Sequence, residues 1–167
     1  MKPGIPTTLT AINIAQVLDL LAQTPEKLSA MQRLVSGEQA RRPLGSGERS
    51  FVETVAHLIH SEARISESIY LALLLKEPLL PRIHAERDLG GLLRFDLMDV
   101  NELLAYFAIR RKVLLRVLAG IKENEWARTV REAGKQRQES IYWRARALAL
   151  HEAEHVRDLE SKLTGIK

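Results

Sequence analysis

Apolar residues recur at helical spacing in four long stretches of this chain, while the two-residue alternation that a half-buried strand needs is hard to find anywhere. Leu and Ala dominate the apolar set and aromatic residues make up only 5%. The pattern predicts an all-α fold. The first stretch covers residues 11–34, with a break expected at Thr24-Pro25-Glu26, where Thr can cap and Pro suits a first helical position. A loop follows, carrying Gly37 and Arg41-Arg42-Pro43-Leu44-Gly45-Ser46-Gly47. Ser50-Phe51-Val52-Glu53 has the capping-box form and opens a second helix, expected to run to Lys76 before Pro78. Two prolines and two glycines within residues 78–91 predict a long connection across the end of a bundle. The third helix, residues 99–121, opens with Asp99-Val100-Asn101-Glu102 and places Leu103, Leu104, Phe107, Leu114, Leu118 and Ile121 on one stripe. After a polar stretch over residues 123–138, the last helix spans 140–163, with Gly165 as its stop. The expectation is a four-helix bundle with a long connection between the second and third helices, as a single domain over residues 1–167 without internal repeats.

A chain of 167 residues buries enough surface to fold without a disulfide or a structural metal. The absence of cysteine removes thiolate metal sites and cysteine nucleophiles, and fits a reducing compartment. The longest apolar run, residues 69–75, is far short of a membrane span, and residues 1–10 lack the apolar core of a secretory signal. A cytoplasmic location is expected.

Any chemistry must then come from oxygen and nitrogen side chains. Of five histidines, His151 and His155 in His151-Glu152-Ala153-Glu154-His155 stand one helical turn apart and can share a metal ion. The apolar seam of the last helix passes through Ile141, Ala145, Leu148, Leu159 and Leu163 at about 100° per residue, and Glu152 falls inside it. A carboxylate there is costly unless paired or near a cation. Two readings satisfy it: an ion pair with an arginine from a neighbouring helix, or a role at a metal site, which we favour from the flanking histidines. The string also matches His-Glu-x-x-His, in which the Glu acts as general base. Metalloproteases of that kind take a third ligand downstream, and the chain offers only Ser161 six residues past His155. A two-metal carboxylate bundle needs Glu-x-x-His twice, and Glu53 to His57 is spaced by four. On the second helix, His57 falls opposite the apolar arc of Phe51, Val55, Leu58, Ile59, Ile65, Ile69 and Leu73, which leaves it exposed or turned into a polar cleft. His60 reads as a group supporting a ligand or facing substrate, and His84 as surface.

The stretch from Arg42-Pro43 to Gly47, followed by Ser50 through Glu62 with His57-Leu58, resembles the signature of the DinB-like superfamily. The terminal His151-x-x-x-His155 and Trp126 before the polar linker resemble it too, so that the likeness covers residues 14–163. It departs at Arg49, where a tryptophan is common, and at His60, where an acid is common. The resemblance implies a four-helix bundle and a divalent metal held by His57, His151 and His155, with zinc or nickel ahead of iron or manganese. It also implies a homodimer.

Three imidazoles leave coordination positions open, as catalytic sites do. Two enzyme readings follow: a hydrolase with Glu152 as general base, or a thiol S-transferase acting with a low-molecular-weight thiol. A third reading is a non-enzymatic metal-carrying bundle that serves as a dimerisation or partner-binding module. The substrate is expected to be a small molecule. Residues 110–146 hold eleven Lys and Arg against four Glu, a basic region from which Arg144 and Arg146 are candidates to hold the carboxylates of a thiol cosubstrate. Without a stacking platform or helix-turn-helix pattern, nucleic acid is not an expected partner.

Overall fold

Each helix starts where the sequence offers a cap. In the computed structural model, which describes residues 4–164, the four long helices are α1 (Ala11–Gln32), α2 (Phe51–Leu74), α3 (Val100–Ala119) and α4 (Ile141–Thr164). Thr10 accepts from the Asn13 amide ahead of α1, and Asp99 accepts from Asn101 and Glu102 ahead of α3. Ser50 and Glu53 close the expected capping box on α2, satisfying two amides that the helix cannot pair itself. Gly165 lies outside the described residues.

The first helix is not two. Pro25 sits inside an unbroken α1, where its missing N–H leaves the Leu21 carbonyl without its usual partner. Arg111 of α3 donates to that carbonyl at 2.6 Å, so a neighbouring helix supplies the hydrogen bond that proline removes. Tertiary contact thereby overrides the local stop signal.

The helices bury two apolar clusters rather than one continuous core. One gathers Phe51, Leu58 and Ile59 of α2 with Leu103 and Phe107 of α3 and Val156 and Leu159 of α4. The other gathers Val17 and Leu21 of α1 with Ile69, Leu114, Leu118, Ala145 and Leu148. Between them in α2, α3 and α4 lie Glu62, Arg111 and Glu152, all essentially without exposure. Arg111 holds Glu152 through both carboxylate oxygens, at 2.8 and 2.5 Å, and Glu62 at 3.0 Å. Arg110 adds a contact of 3.2 Å to the other Glu62 oxygen. A layer of this kind is tolerated because every charge in it has a partner.

The long connection between α2 and α3 is present. It contains a π-helical turn, Ala85–Gly90, that folds back on α2. The polar stretch before α4 is more ordered than its composition suggests. Thr129–Glu132 and Gln138–Ser140 form a hairpin, turning at Gly134 with φ +81°, and Leu79–Leu80 joins its first strand in parallel. These strands are too short to show an alternation: Leu80 and Val130 alone enter the core. Among the described residues, no helix is long and apolar enough to cross a membrane.

Arg111→Ala leaves two carboxylates buried without their cation, and is expected to lower unfolding free energy by about 3–5 kcal/mol in urea titrations. Ser50→Ala removes only the α2 cap, and the same titration should show a loss of about 1 kcal/mol.

Candidate metal centre

His57 on α2 and His151 and His155 on α4 meet across the groove between the two helices. The rings lie 5.1, 4.8 and 4.6 Å apart between centroids, each pair edge to face. His57 Nε2 stands 3.0 Å from His151 Nε2, and one nitrogen from each ring falls within 4.8 Å of the others. All three side chains are partly buried. The capping box sets the start of α2 and so the direction in which His57 points; the i, i+4 spacing on α4 places the other two on one face.

Around the rings, protonation is arranged in favour of neutral imidazole on α4. Burial is the first cause that lowers the pKa of His155, to about 4, with the neighbouring charges of His151, His57 and Arg49 adding to it. Burial, then His57, lowers His151 as well. Neutral imidazole is the form that ligates. His57 has a different partner: its Nδ1 is 2.5 Å from Glu86 Oε2. Burial opposes ionisation of Glu86, yet its hydrogen bond with His57 and the charges of His57, Arg49 and His60 outweigh that and hold its carboxyl below the usual range. A ring that donates Nδ1–H to a carboxylate keeps its Nε2 lone pair free, the arrangement found behind metal-bound histidines.

A divalent ion bound by imidazoles at about 2.0–2.1 Å brings neighbouring ligand nitrogens to about 2.8–3.4 Å of one another, the lower end for right-angled and the upper for tetrahedral geometry. The 3.0 Å between the His57 and His151 nitrogens, the oriented His57 ring and the all-nitrogen donor set fit such an ion. Zinc, nickel, iron and manganese all accept imidazole.

The remaining candidates are placed differently from one another. Glu152 has no exposure and spends both oxygens on Arg111, so the ion-pair alternative is the one realised, and its side chain faces the bundle interior rather than an open site. Burial raises its carboxyl pKa against the opposing pull of Arg111. His60 is buried and stacks on Phe95 at 5.3 Å, with neither ring nitrogen hydrogen-bonded among the described residues. Gly90 makes that burial feasible, because a Cβ there would come within 3.1 Å of the His60 ring. His84 is exposed, its Nδ1 accepting from the Arg87 amide. Arg49 stands 4.0 Å from Glu86 at the edge of the cluster. The basic region does not converge on it: Arg144 is buried against Glu139 at 3.0 Å and Glu132 at 3.7 Å, and Arg146 donates to the Ile5 carbonyl. Glu86 is the residue that sequence reasoning missed, since it sits in a connection with no periodicity to mark which way a side chain points.

The sequence model of the DinB superfamily matches residues 20–159. The chain belongs to the DinB superfamily. Its fold is similar to that of YfiT from Bacillus subtilis, described as "a probable metal-dependent hydrolase with an unusual four-helix bundle topology", at a TM-score of 0.86 and 13% identity. The similarity covers 99% of this chain and 94% of YfiT. No curated protein matches the sequence. As a DinB superfamily fold, the chain thus brings its histidines together from the second and last long helices of the bundle.

The Glu86 contact has a direct spectroscopic consequence. In nitrogen-detected NMR of the imidazoles near neutral pH, neutral His57 should appear as the Nδ1–H tautomer, and Glu86→Ala should shift it toward Nε2–H.

Proposed function

We propose that this DinB superfamily protein is a metal-dependent enzyme on small molecules, in which His57, His151 and His155 hold one divalent ion and the reaction is hydrolytic. The observation that carries the reading is the convergence of three imidazoles from two helices with one of them oriented by a carboxylate. The likeness to YfiT, described as a probable metal-dependent hydrolase, points the same way.

An ion held by three neutral histidines and open to solvent supplies Lewis acidity toward water and carbonyl groups. The chain's own residues supply the rest. Glu86 holds a proton on His57 Nδ1 and keeps that ring turned toward the cluster. Ser61 brings a hydroxyl 3.5 Å from His151 Nε2, at the open side of the groove. Glu152 is assigned to positioning rather than proton transfer: its bond to Arg111 fixes the rotation of α4 one residue from His151.

Thiol S-transfer would use the same ligand set. The arginines that the sequence offers for thiol carboxylates, Arg144 and Arg146, are engaged in ion pairing and backbone contact instead, which favours hydrolysis. Turnover of an electrophile only when thiol is added would reverse that preference. A bundle that carries metal without turnover would bind the ion equally well and hydrolyse nothing.

Metal analysis of the purified protein is expected to show one divalent ion per chain, with His57→Ala and His155→Ala both losing it. Glu86→Gln should retain the ion but weaken it by about 10–100-fold in chelator competition. Activated esters should be hydrolysed by the loaded protein, with activity abolished by chelation and restored by metal. Full metal occupancy in His57→Ala would overturn the assignment.

A further inference from the structure

One turn beyond His57 along α2, a groove of about 300 Å³ runs away from the cluster between α2 and α4. His151 is one of the residues that line it. Its walls are formed by Ser61 and Ile65 of α2, Ala147 and Leu148 of α4, and Ala85 from the start of the π-helical turn. The concavity exists because three of these side chains are small. Arg64 also lines it, but with its stem: the guanidinium is turned away to the Pro81 carbonyl and to Glu67 at 3.3 Å. No charged head therefore faces the groove from the residues that line it. A second cleft, on the face of α2 that carries Glu53, Ala56 and His60, differs in kind: there Arg49, Glu53, His60, Glu86, Arg94 and Asp96 line a charged space of about 400 Å³. The π-helical turn divides the two, giving Ala85 to the apolar side and Glu86 to the charged one.

We infer that this groove is the subsite for an apolar substituent of the substrate, an alkyl chain or flat aryl group attached close to the bond acted on. The inference rests on the metal-dependent reading above and narrows its substrate class to small molecules with one apolar and one polar end. A ligand whose polar head sits at the three histidines can extend into this groove at His151 or into charged surroundings, either the cleft at Glu86 or the one at His155 lined by Glu154, Arg157 and Asp158. The charged surroundings suit its polar part, and the groove, apolar apart from the Ser61 hydroxyl and the His151 edge, suits a part that needs no hydrogen bond. Burying apolar surface along Ile65, Leu148 and the two alanines supplies affinity in proportion to the area covered. Ala147 and Ala85, which line the groove from different elements, act as specificity determinants because any larger side chain there fills the space.

The test uses zinc-loaded protein and two probes that share a metal-binding head, acetohydroxamate and hexanohydroxamate, with dissociation constants from calorimetry. Hexanohydroxamate should bind on the order of tenfold tighter or more. Ala147→Leu and Ala85→Leu should each abolish that advantage while leaving zinc content and acetohydroxamate affinity unchanged. The two variants fill the groove from different elements, so a folding defect in one leaves the other to decide. Equal affinity of the two hydroxamates for the native protein, or an undiminished preference in the variants, overturns the groove assignment and leaves the metal centre standing. Failure of the zinc-loaded protein to bind either hydroxamate brings down the metal-dependent reading, and the groove assignment with it.

Discussion

The ion pairing of Arg111 is the constraint around which the bundle is arranged. One guanidinium, buried in the middle of α3, reaches Glu62 on α2, Glu152 on α4 and the backbone of α1 at the carbonyl that Pro25 leaves free. It therefore touches all three other helices. Burying charge is unfavourable on its own, and the arrangement persists because both terminal nitrogens of Arg111 and all the carboxylate oxygens of Glu62 and Glu152 meet opposite charge or a carbonyl, with Arg111 Nε left without a hydrogen bond among the described residues. Apolar contacts above and below can slide or rotate at modest cost, whereas bidentate pairing cannot. The layer thus sets helix rotation and register for two apolar clusters that do not distinguish registers so sharply.

The histidine cluster depends on that register. His151 neighbours Glu152 in sequence, and His155 follows one turn later, so locking Glu152 inward directs both imidazoles to the α2 side of α4. His57 comes from the opposite helix, five residues before Glu62, which the same arginine holds. One buried cation thereby positions both halves of the site. Glu86 adds the last degree of control by fixing the His57 ring from a segment that is neither helix. Site geometry held on rigid helices and trimmed by a connection is a common division of labour between scaffold and loop.

Several parts of this were legible in the residues alone. The capping box at Ser50, the Asp99 cap and the stripe from Leu103 to Leu118 carry their own local physics, and the helices begin where those signals stand. The spacing of His151 and His155 announces a shared face. The points that the residues alone leave open have a shared cause. Pro25 reads as a break because the partner for Leu21 is ninety residues away. Glu152 reads as a general base because a motif records spacing and not which side of the helix holds an arginine. The basic region reads as an anion site because composition does not show that Arg144 and Arg110 are already spent on Glu139 and Glu62.

By itself, the order of residues determined where the long helices begin, their caps and the pair of histidines on α4, since each depends on interactions within a few positions along one element. Only the tertiary structure decided that His57 joins them, that Glu86 orients it, that Glu152 turns inward to Arg111, and that an apolar groove and a charged cleft flank the centre. Those are contacts between segments remote in the chain, and their energies exist only once burial and pairing across helices have chosen a single register.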